Sequence, residues 1–564
     1  MHTFCVCVRQ QMYLCSRFFK VLLKQDMKTK VILAGIMLAT AATTAQAGGI
    51  LTNTNQSIDF LRNPARDAAI GLDGVYSNPA GVAFMPEGFH LGFNWQYAHQ
   101  TRTIESTSPY FHLGKKNNGS DTKTFQGVAD APCIPSIQAA WNKGDWSMQF
   151  NFSVPGGGGA CEFSDGLGSF ERVVGDITKG FMALDGAAST INAMLQQQGG
   201  TAQLPVYGVN AYDMDGYMQG RQYYFGVQLG TAYKVTKDLS VYGGLRLLYG
   251  SATYKARLNN IQVGVLSGDG TTAYKDFASF LPQAVTQAQG CVSVLNTMIT
   301  KVGNGMTQLE NAGMTNTDQY KQLAAQKAQL EGSRSQLQAS EARLSQLSKY
   351  SDGVNLLCNQ SGLGIAPVLG VDYRVGQFNF AAKYEFKTEI RMKNESTVFE
   401  ASEIDAVNKY RDSEEVNEDS PAQLAVGAQW TPINAVRLNL GSHYYFDKQA
   451  RWYGDAQKKL DHNSYEILAG AEWDVSDRVT VSLGGQLTRY GLTDQYMNDM
   501  SFVVNSYSIG FGANFKVNNN VTLKGGYFQT NYGDYDRTNY PEAGVNDSFT
   551  RTNYVLGLGC EVTL

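Results

Sequence analysis

From Gly88 to Leu564 the chain runs in segments that alternate apolar with polar or small side chains, an arrangement that puts one kind of residue on each face of an extended strand. The final segment is the clearest. Tyr554, Leu556, Leu558, Cys560, Val562 and Leu564 share one face, and Val555, Gly557, Gly559, Glu561 and Thr563 share the other. The first does the same with Phe89, Leu91, Phe93, Trp95 and Tyr97 against His90, Gly92, Asn94 and Gln96. Tight connections at Lys143-Gly144-Asp145, Val235 to Asp238, Val375-Gly376, Thr431 to Asn434, Val475 to Arg478 and Val517 to Asn520 join such runs into hairpins. The hairpins pair 134–142 with 145–154, 221–234 with 239–256, 364–374 with 377–390, 421–430 with 435–446, 463–474 with 479–490, and 504–516 with 521–532.

Six hairpins plus the first and last strands give 14. An even number lets an antiparallel ring close without the exposed edges that lipid does not tolerate. The predicted fold is therefore all-β, a 14-stranded antiparallel transmembrane β-barrel. Its short turns belong at the periplasmic end and its long connections outside. Charge keeps to one face: Phe378, Phe380, Ala382, Tyr384 and Phe386 lie opposite Asn379, Lys383, Glu385 and Lys387.

Two long connections carry helical spacing instead. In the second, Phe170, Val173, Val174, Ile177, Phe181 and Met182 form one stripe, and Ile191, Met194 and Leu195 predict a second helical piece. In the third, Pro282 opens a predicted helix bearing Val285, Val292, Leu295, Met298, Ile299, Val302, Met306 and Leu309. After a turn at 311–316, Leu323, Leu330, Leu337 and Leu344 recur every seventh residue from Asp318 onward. The spacing predicts an antiparallel helical hairpin over 282–350, a long extracellular insert about 45 Å in length.

Composition sharpens the picture. Of 564 residues only 17% are charged, against about 25% in ordinary soluble domains. With 46 Lys+Arg against 50 Asp+Glu and no basic run, nothing attracts a polyanion, and no nucleic-acid partner is expected. After residue 47 no apolar run is long enough for a spanning helix. The mean hydropathy of −0.27 is what alternating strands average to.

Met27-Lys28-Thr29-Lys30, the apolar stretch Val31 to Ala42 and Ala45-Gln46-Ala47 have the charged, apolar and cleavage regions of a secretory signal. Met27 is read as the true start, and residues 1–47 as removed on export. Five cysteines then remain: Cys133, Cys161, Cys291, Cys358 and Cys560. Two disulfides with Cys560 left over is the economical reading in an oxidising compartment, and pairing Cys133 with Cys161 and Cys291 with Cys358 suits the predicted geometry, although spacing leaves connectivity open. No C-x-x-C, G-x-S-x-G, H-E-x-x-H or P-loop motif occurs, and the six histidines are scattered, His443 alone falling on a predicted lumen face. Neither an enzyme nor a metal or other cofactor is expected.

The stretch Ala65-Arg66-Asp67-Ala68-Ala69-Ile70-Gly71-Leu72-Asp73-Gly74-Val75-Tyr76-Ser77-Asn78-Pro79-Ala80-Gly81 resembles the N-terminal segment of the FadL/TodX family of outer-membrane transporters of hydrophobic compounds, whose hallmark is Asn-Pro-Ala ahead of the first strand. The resemblance continues through Ile134-Pro135-Ser136, Tyr223-Tyr224-Phe225-Gly226, Tyr249-Gly250, Ser420-Pro421-Ala422-Gln423 and Val436 to Tyr445, and omits the helical insert. The chain departs from the family in ending on Leu564 rather than an aromatic residue.

The resemblance implies an N-terminal hatch over 48–87, anchored by Asn78, Pro79 and Ala80 inside a barrel spanning 88–564. It further implies a passive transporter for long-chain fatty acids or other small hydrophobic compounds in the bacterial outer membrane. Outer loops would capture the ligand, a lumen pocket would hold it, and a gap at a kink in strand three would release it sideways. Pro155, Gly156 and Gly157 are the counterpart of that kink, or else mark a loop entrance. A side exit has a physical rationale: at about 0.8 kcal/mol per CH₂, a twelve-carbon tail faces roughly 9 kcal/mol on entering a watery pore. Arg246 on the lumen face of strand five, with Lys255 near its outer end, are the candidates to meet a ligand carboxylate. Expected partners are the hydrophobic ligand, outer-membrane lipid and the barrel-insertion machinery. The alternative is a surface interaction or adhesion protein whose helical arm binds a partner.

Overall fold

The computed structural model describes residues 52, 56–197, 204–348, 353–399 and 408–564, so the predicted signal at 1–47 and the start of the hatch lie outside it. The strands are β1 (Gly88–Thr107), β2 (Thr122–Lys143), β3 (Trp146–Phe163), β4 (Val209–Lys234), β5 (Leu239–Leu266), β6 (Thr272–Asp276), β7 (Val354–Val375), β8 (Phe378–Glu385) and β9 (Arg391–Ser396). They continue as β10 (Glu415–Asn417), β11 (Gln423–Ile433), β12 (Val436–Tyr445), β13 (Tyr465–Ser476), β14 (Val479–Arg489), β15 (Ser506–Lys516), β16 (Val521–Tyr532), β17 (Tyr535–Thr538) and β18 (Asn546–Thr563).

Fourteen of these form a closed antiparallel ring; the short β6, β9, β10 and β17 extend its wall. The ring closes where β1 pairs with β18, from His90 opposite Thr563 to Thr107 opposite Asn546. Hairpins need a left-handed residue at two of the tightest turns, and Gly144 and Gly376 supply it, each at φ 58°.

The alternation now has an outside. Leu229, Leu245, Leu363, Ile365, Leu440, Leu483 and Leu558 are all more than half exposed, a continuous apolar band that only lipid can cover. Aromatics flank it: Trp141, Trp146, Phe378, Trp430 and Trp473 near the turn end, and Tyr223, Tyr249, Tyr384, Phe386 and Tyr444 nearer the loops. No helix among the described residues is long and apolar enough to cross a membrane.

Among the described residues there are also five α-helices: α1 (Ile58–Arg62), α2 (Gly74–Ser77), α3 (Gly168–Gln197), α4 (Phe277–Asn311) and α5 (Asp318–Ser348). α3 is one continuous helix where the spacing predicted two pieces, and its Phe181 packs on Phe277 and Phe280 of α4. α4 starts five residues before Pro282, because the Asp276 side chain accepts from Ser279 N–H and caps it there. α5 returns antiparallel with Leu330, Leu337 and Leu344 buried, and at 35 residues α4 is about 52 Å long.

The expected disulfides are not formed; the five cysteines among the described residues are all free. β2 is longer than predicted, so Cys133 sits in mid-strand, exposed beside a register shift, while Cys161 on β3 is buried. Cys291 lies 14 residues into α4, about 21 Å from its start, whereas Cys358 belongs to the barrel wall, opposite Tyr254 of β5.

Candidate functional site

The hatch is held inside the barrel by buried polar contacts. Asn78 Nδ2 donates to Asp372 Oδ2 of β7 at 2.6 Å, and Asn78 Oδ1 accepts from Gly81 N–H at 3.2 Å. The next carbonyls are taken by other strands: Pro79 O by Gln149 Nε2 of β3 at 2.7 Å, and Ala80 O by Ser240 Oγ of β5 at 2.7 Å. Asn78, Pro79 and Ala80 thus each touch a different strand of the ring. On the opposite wall, Asp59 of α1 pairs with Lys524 of β16 at 2.6 Å, and Glu472 of β13 accepts from Arg62 and Arg66 at 2.9 and 3.0 Å. Burial pushes the Asp59 carboxyl up, but Lys524, Arg62 and Arg66 more than offset it and hold it below the usual carboxylate range. His443 bridges Asp67 of the hatch and Glu466 of β13 at 2.8 Å on each side.

Glycines make room for this plug. A Cβ on Gly510 of β15 would lie 2.1 Å from Leu61 O, and one on Gly470 of β13 would lie 2.0 Å from Asn63 Oδ1.

The ring has a weak seam between β2 and β3. β2 and β3 pair from Gly127–Phe163 to Asp130–Ala160 and again from Ile137–Phe152 to Lys143–Trp146, and pairing lapses between. Three prolines lie within the lapse, Pro132 and Pro135 on β2 and Pro155 on β3, none with an N–H to give the ladder. β3 also bulges against β4 between Ser153 and Gly156 and between Gly157 and Ala160. The strand does not end at Val154 but runs on to Phe163, so Pro155, Gly156 and Gly157 fall within it, at the bulged stretch. Gly157 has φ 84°, and a Cβ there would meet Gln222 O at 2.0 Å. From inside, Gln56 of the hatch spans the lapse: its carbonyl accepts from Ser136 Oγ at 2.6 Å, and its Nε2 reaches Val154 O at 3.4 Å.

Behind the seam lies a cavity of about 310 Å³, within the range of small-molecule sites. Ile134, Val154, Pro155, Met218, Phe502 and Val503 give it apolar walls. Three arginines line it: Arg221 of β4, and Arg102 of β1 and Arg551 of β18, of which the last two face each other directly across the strand pair. Like charges in that relation repel. Arg102 donates to Gln100 Oε1 at 3.2 Å and lies 5.8 Å from the Phe502 ring. Arg551 reaches Phe502 O at 3.4 Å, lies 4.9 Å from the Tyr532 ring and leaves its Nε without a partner. Among the described residues no carboxylate pairs with either.

The two cations singled out from the sequence lie elsewhere. Arg246 is on the lumen face but already engaged, by Glu385, by Gln228 Oε1 at 2.6 Å and by the Tyr76 ring at 4.7 Å. Lys255 points away from the lumen and is exposed. The two are an odd number of residues apart, which in an unbroken strand puts them on opposite faces.

No family model matches the sequence, and no curated protein matches it either. Solved structures do. A Pseudomonas aeruginosa FadL homologue is similar over 91% of this chain and 99% of its own, with TM-score 0.53 and 10% identity. The toluene transporter TbuX of Ralstonia pickettii matches over 91% of this chain and 100% of its own, with TM-score 0.46 and 12% identity. The Pseudomonas putida toluene transporter TodX matches over 88% and 94%, with TM-score 0.45 and 10% identity. The fold is that of the FadL-type barrel. Within that FadL-type fold the hatch, the lapsed β2–β3 seam and the cavity behind it are contiguous, through Gln56, Ile134 and Val154.

Proposed function

We propose that this protein is a passive outer-membrane transporter of hydrophobic compounds that carry an ionised acid, long-chain fatty acids being the simplest. The outer loops capture the ligand, the cavity behind the seam holds it, and the lapse between β2 and β3 releases it sideways into the bilayer. The meeting of cavity and lapse at Pro155 to Gly157 carries this reading. A buried hatch held by ion pairs blocks the axial route, and a side exit spares the acyl tail its transfer into water. Arg102 and Arg551 supply the head-group contact, since an anion would relieve both their repulsion and the unpartnered Arg551 Nε. Asn78, Pro79 and Ala80 hold the hatch in register while this happens.

The test is direct. The protein is purified in a mild detergent, co-purified lipids are identified by mass spectrometry, and uptake of labelled fatty acid is compared between cells with and without it. A bound acidic amphiphile and uptake that depends on the protein are expected. No bound hydrophobe together with unchanged uptake would overturn the proposal.

A further inference from the structure

Arg221 borders the cavity from the outer face of the wall. On β4, Met218, Gln222, Tyr224 and Gln228 face the lumen, while Arg221, Tyr223, Phe225, Val227 and Leu229 alternate with them and face out. Arg221 and Tyr223 nevertheless line the cavity behind the seam. They do so beside Gly156 to Gly159 of β3, a stretch with no side chain to close the wall. The cavity therefore takes in both faces of the barrel at the lapse.

One row of the ladder, Asp130, Ala160, Arg221 and Thr253, forms the loopward edge of the lapse, Asp130 and Ala160 being the last pair before it. The acid in that row is drawn the other way. Asp130 Oδ1 accepts from Tyr97 Oη at 2.9 Å and meets His99 Nδ1 at 2.8 Å, both on β1. Glu162, one outward row beyond, accepts from Gln219 Nε2 at 3.2 Å. Arg221 is exposed, donates to Thr253 Oγ1 at 3.2 Å, and among the described residues has no carboxylate within salt-bridge distance. Toward the turn end the next outward side chains of its strand are Tyr223, Phe225 and Val227, with the first two rings 5.9 Å apart and no polar residue between. Val227 is level with Phe152 of β3 and Ile137 of β2 on the same face. The six residues from Arg221 to Val227 cover about 20 Å, so a cation heads an apolar track that runs past the opening.

We propose that Arg221 is a second head-group site, occupied after the lumen pair. The carboxylate leaves Arg102 and Arg551, passes the glycine stretch and is held by Arg221 on the outer face, while the tail lies along Tyr223, Phe225 and Val227. By register Arg102 is level with Met218 of β4. Arg221 is thus three residues, about 10 Å, nearer the turn end and three strands, about 14 Å, around the wall. A carboxylate crossing that distance unaccompanied carries the cost of an unpaired charge, and a cation at the outer mouth shortens the crossing. Arg221 also stands one outward position loopward of Tyr223, in the aromatic belt that marks the membrane interface. A carboxylate whose tail lies in the bilayer keeps to that depth, with its charge in water. The inference rests on the transport reading above and adds to it a binding step outside the barrel.

The experiment reconstitutes the full chain in nanodiscs of neutral lipid, loads it with a fluorescent long-chain acid or with the methyl ester of the same probe, and follows release into the disc by stopped-flow. Arg221→Gln should slow release of the acid about tenfold, the loss of one charge-assisted hydrogen bond, and leave the ester within about twofold. Arg221→Lys keeps the charge and should release the acid within about threefold of the parent rate. Heat-dependent gel mobility establishes that both variants are folded barrels. Release of the acid at the parent rate from Arg221→Gln, or equal slowing of acid and ester, overturns the outer site and leaves the transport reading standing. A parent protein that takes up neither acid nor ester overturns the transport reading itself, and the outer site with it.

Discussion

Replacing Arg102 by Met tests the lumen site most sharply. Arg102 and Arg551 face each other across the β1–β18 pair with no carboxylate between them. A bound carboxylate would take a charge-assisted hydrogen bond from each, worth about 1.5–3 kcal/mol apiece. Removing one should weaken binding of a long-chain carboxylate roughly 10- to 150-fold, at 1.4 kcal/mol per decade. The methyl ester of the same chain has no charge to lose and should bind parent and variant within about twofold, since Met keeps the apolar wall. The variant also removes a directly opposed like-charge pair, so the barrel should gain a few tenths of a kcal/mol, up to about 1. Isothermal titration in detergent with acid and ester, alongside thermal unfolding, reads all three quantities. If the acid binds the variant as tightly as the parent, or the ester loses as much as the acid, the two arginines do not hold the head group.

Gly157→Ala forces a Cβ against Gln222 O in a backbone at φ 84°, so uptake should fall severalfold while the barrel keeps its folded gel mobility; unchanged uptake would place the exit elsewhere. Asn78→Ala with Pro79→Ala leaves Asp372 short of a buried donor, at about 1–3 kcal/mol, and should lower transport and expose the hatch to protease without preventing assembly. Burial pushes the Cys291 thiol up to about 11, so at pH 8 a maleimide should label exposed Cys133 and spare Cys291; in denaturant without reductant all five thiols of residues 48–564 should react, and a single reactive thiol would restore the two bridges. Asp59 has its folded value held down by Lys524 and its arginine neighbours; its stabilising share is present above the unfolded value near 4 and is lost only as pH falls through the lower folded value, so the hatch should stay protease-resistant at pH 4.

Much of the barrel was legible because lipid imposes a period of two on every strand it touches. Phe89 to Tyr97 and Tyr554 to Leu564 announced the first and last strands for that reason. Beyond the bilayer the same strands face water outside and a wet lumen inside, and the period disappears. Gln100-Thr101-Arg102-Thr103 is polar on both faces, so the alternation gives out after Tyr97 although β1 runs to Thr107, and no pattern marks Arg102 or Arg551. Two features of the sequence do carry the information: the parity that separates Arg246 from Lys255, and Pro132 and Pro135, which mark the β2 side of the lapse as plainly as Pro155 marks the other. Pairing the cysteines by loop position failed because strand length decides whether Cys133 is at an end or in the middle.

The two lumen arginines belong to the first and the last strand and are brought face to face by the pairing that closes the ring. A sheet in which those two strands have not paired has only half of the proposed head-group site. A ligand that needs both cations would therefore distinguish a sealed cylinder from an open sheet.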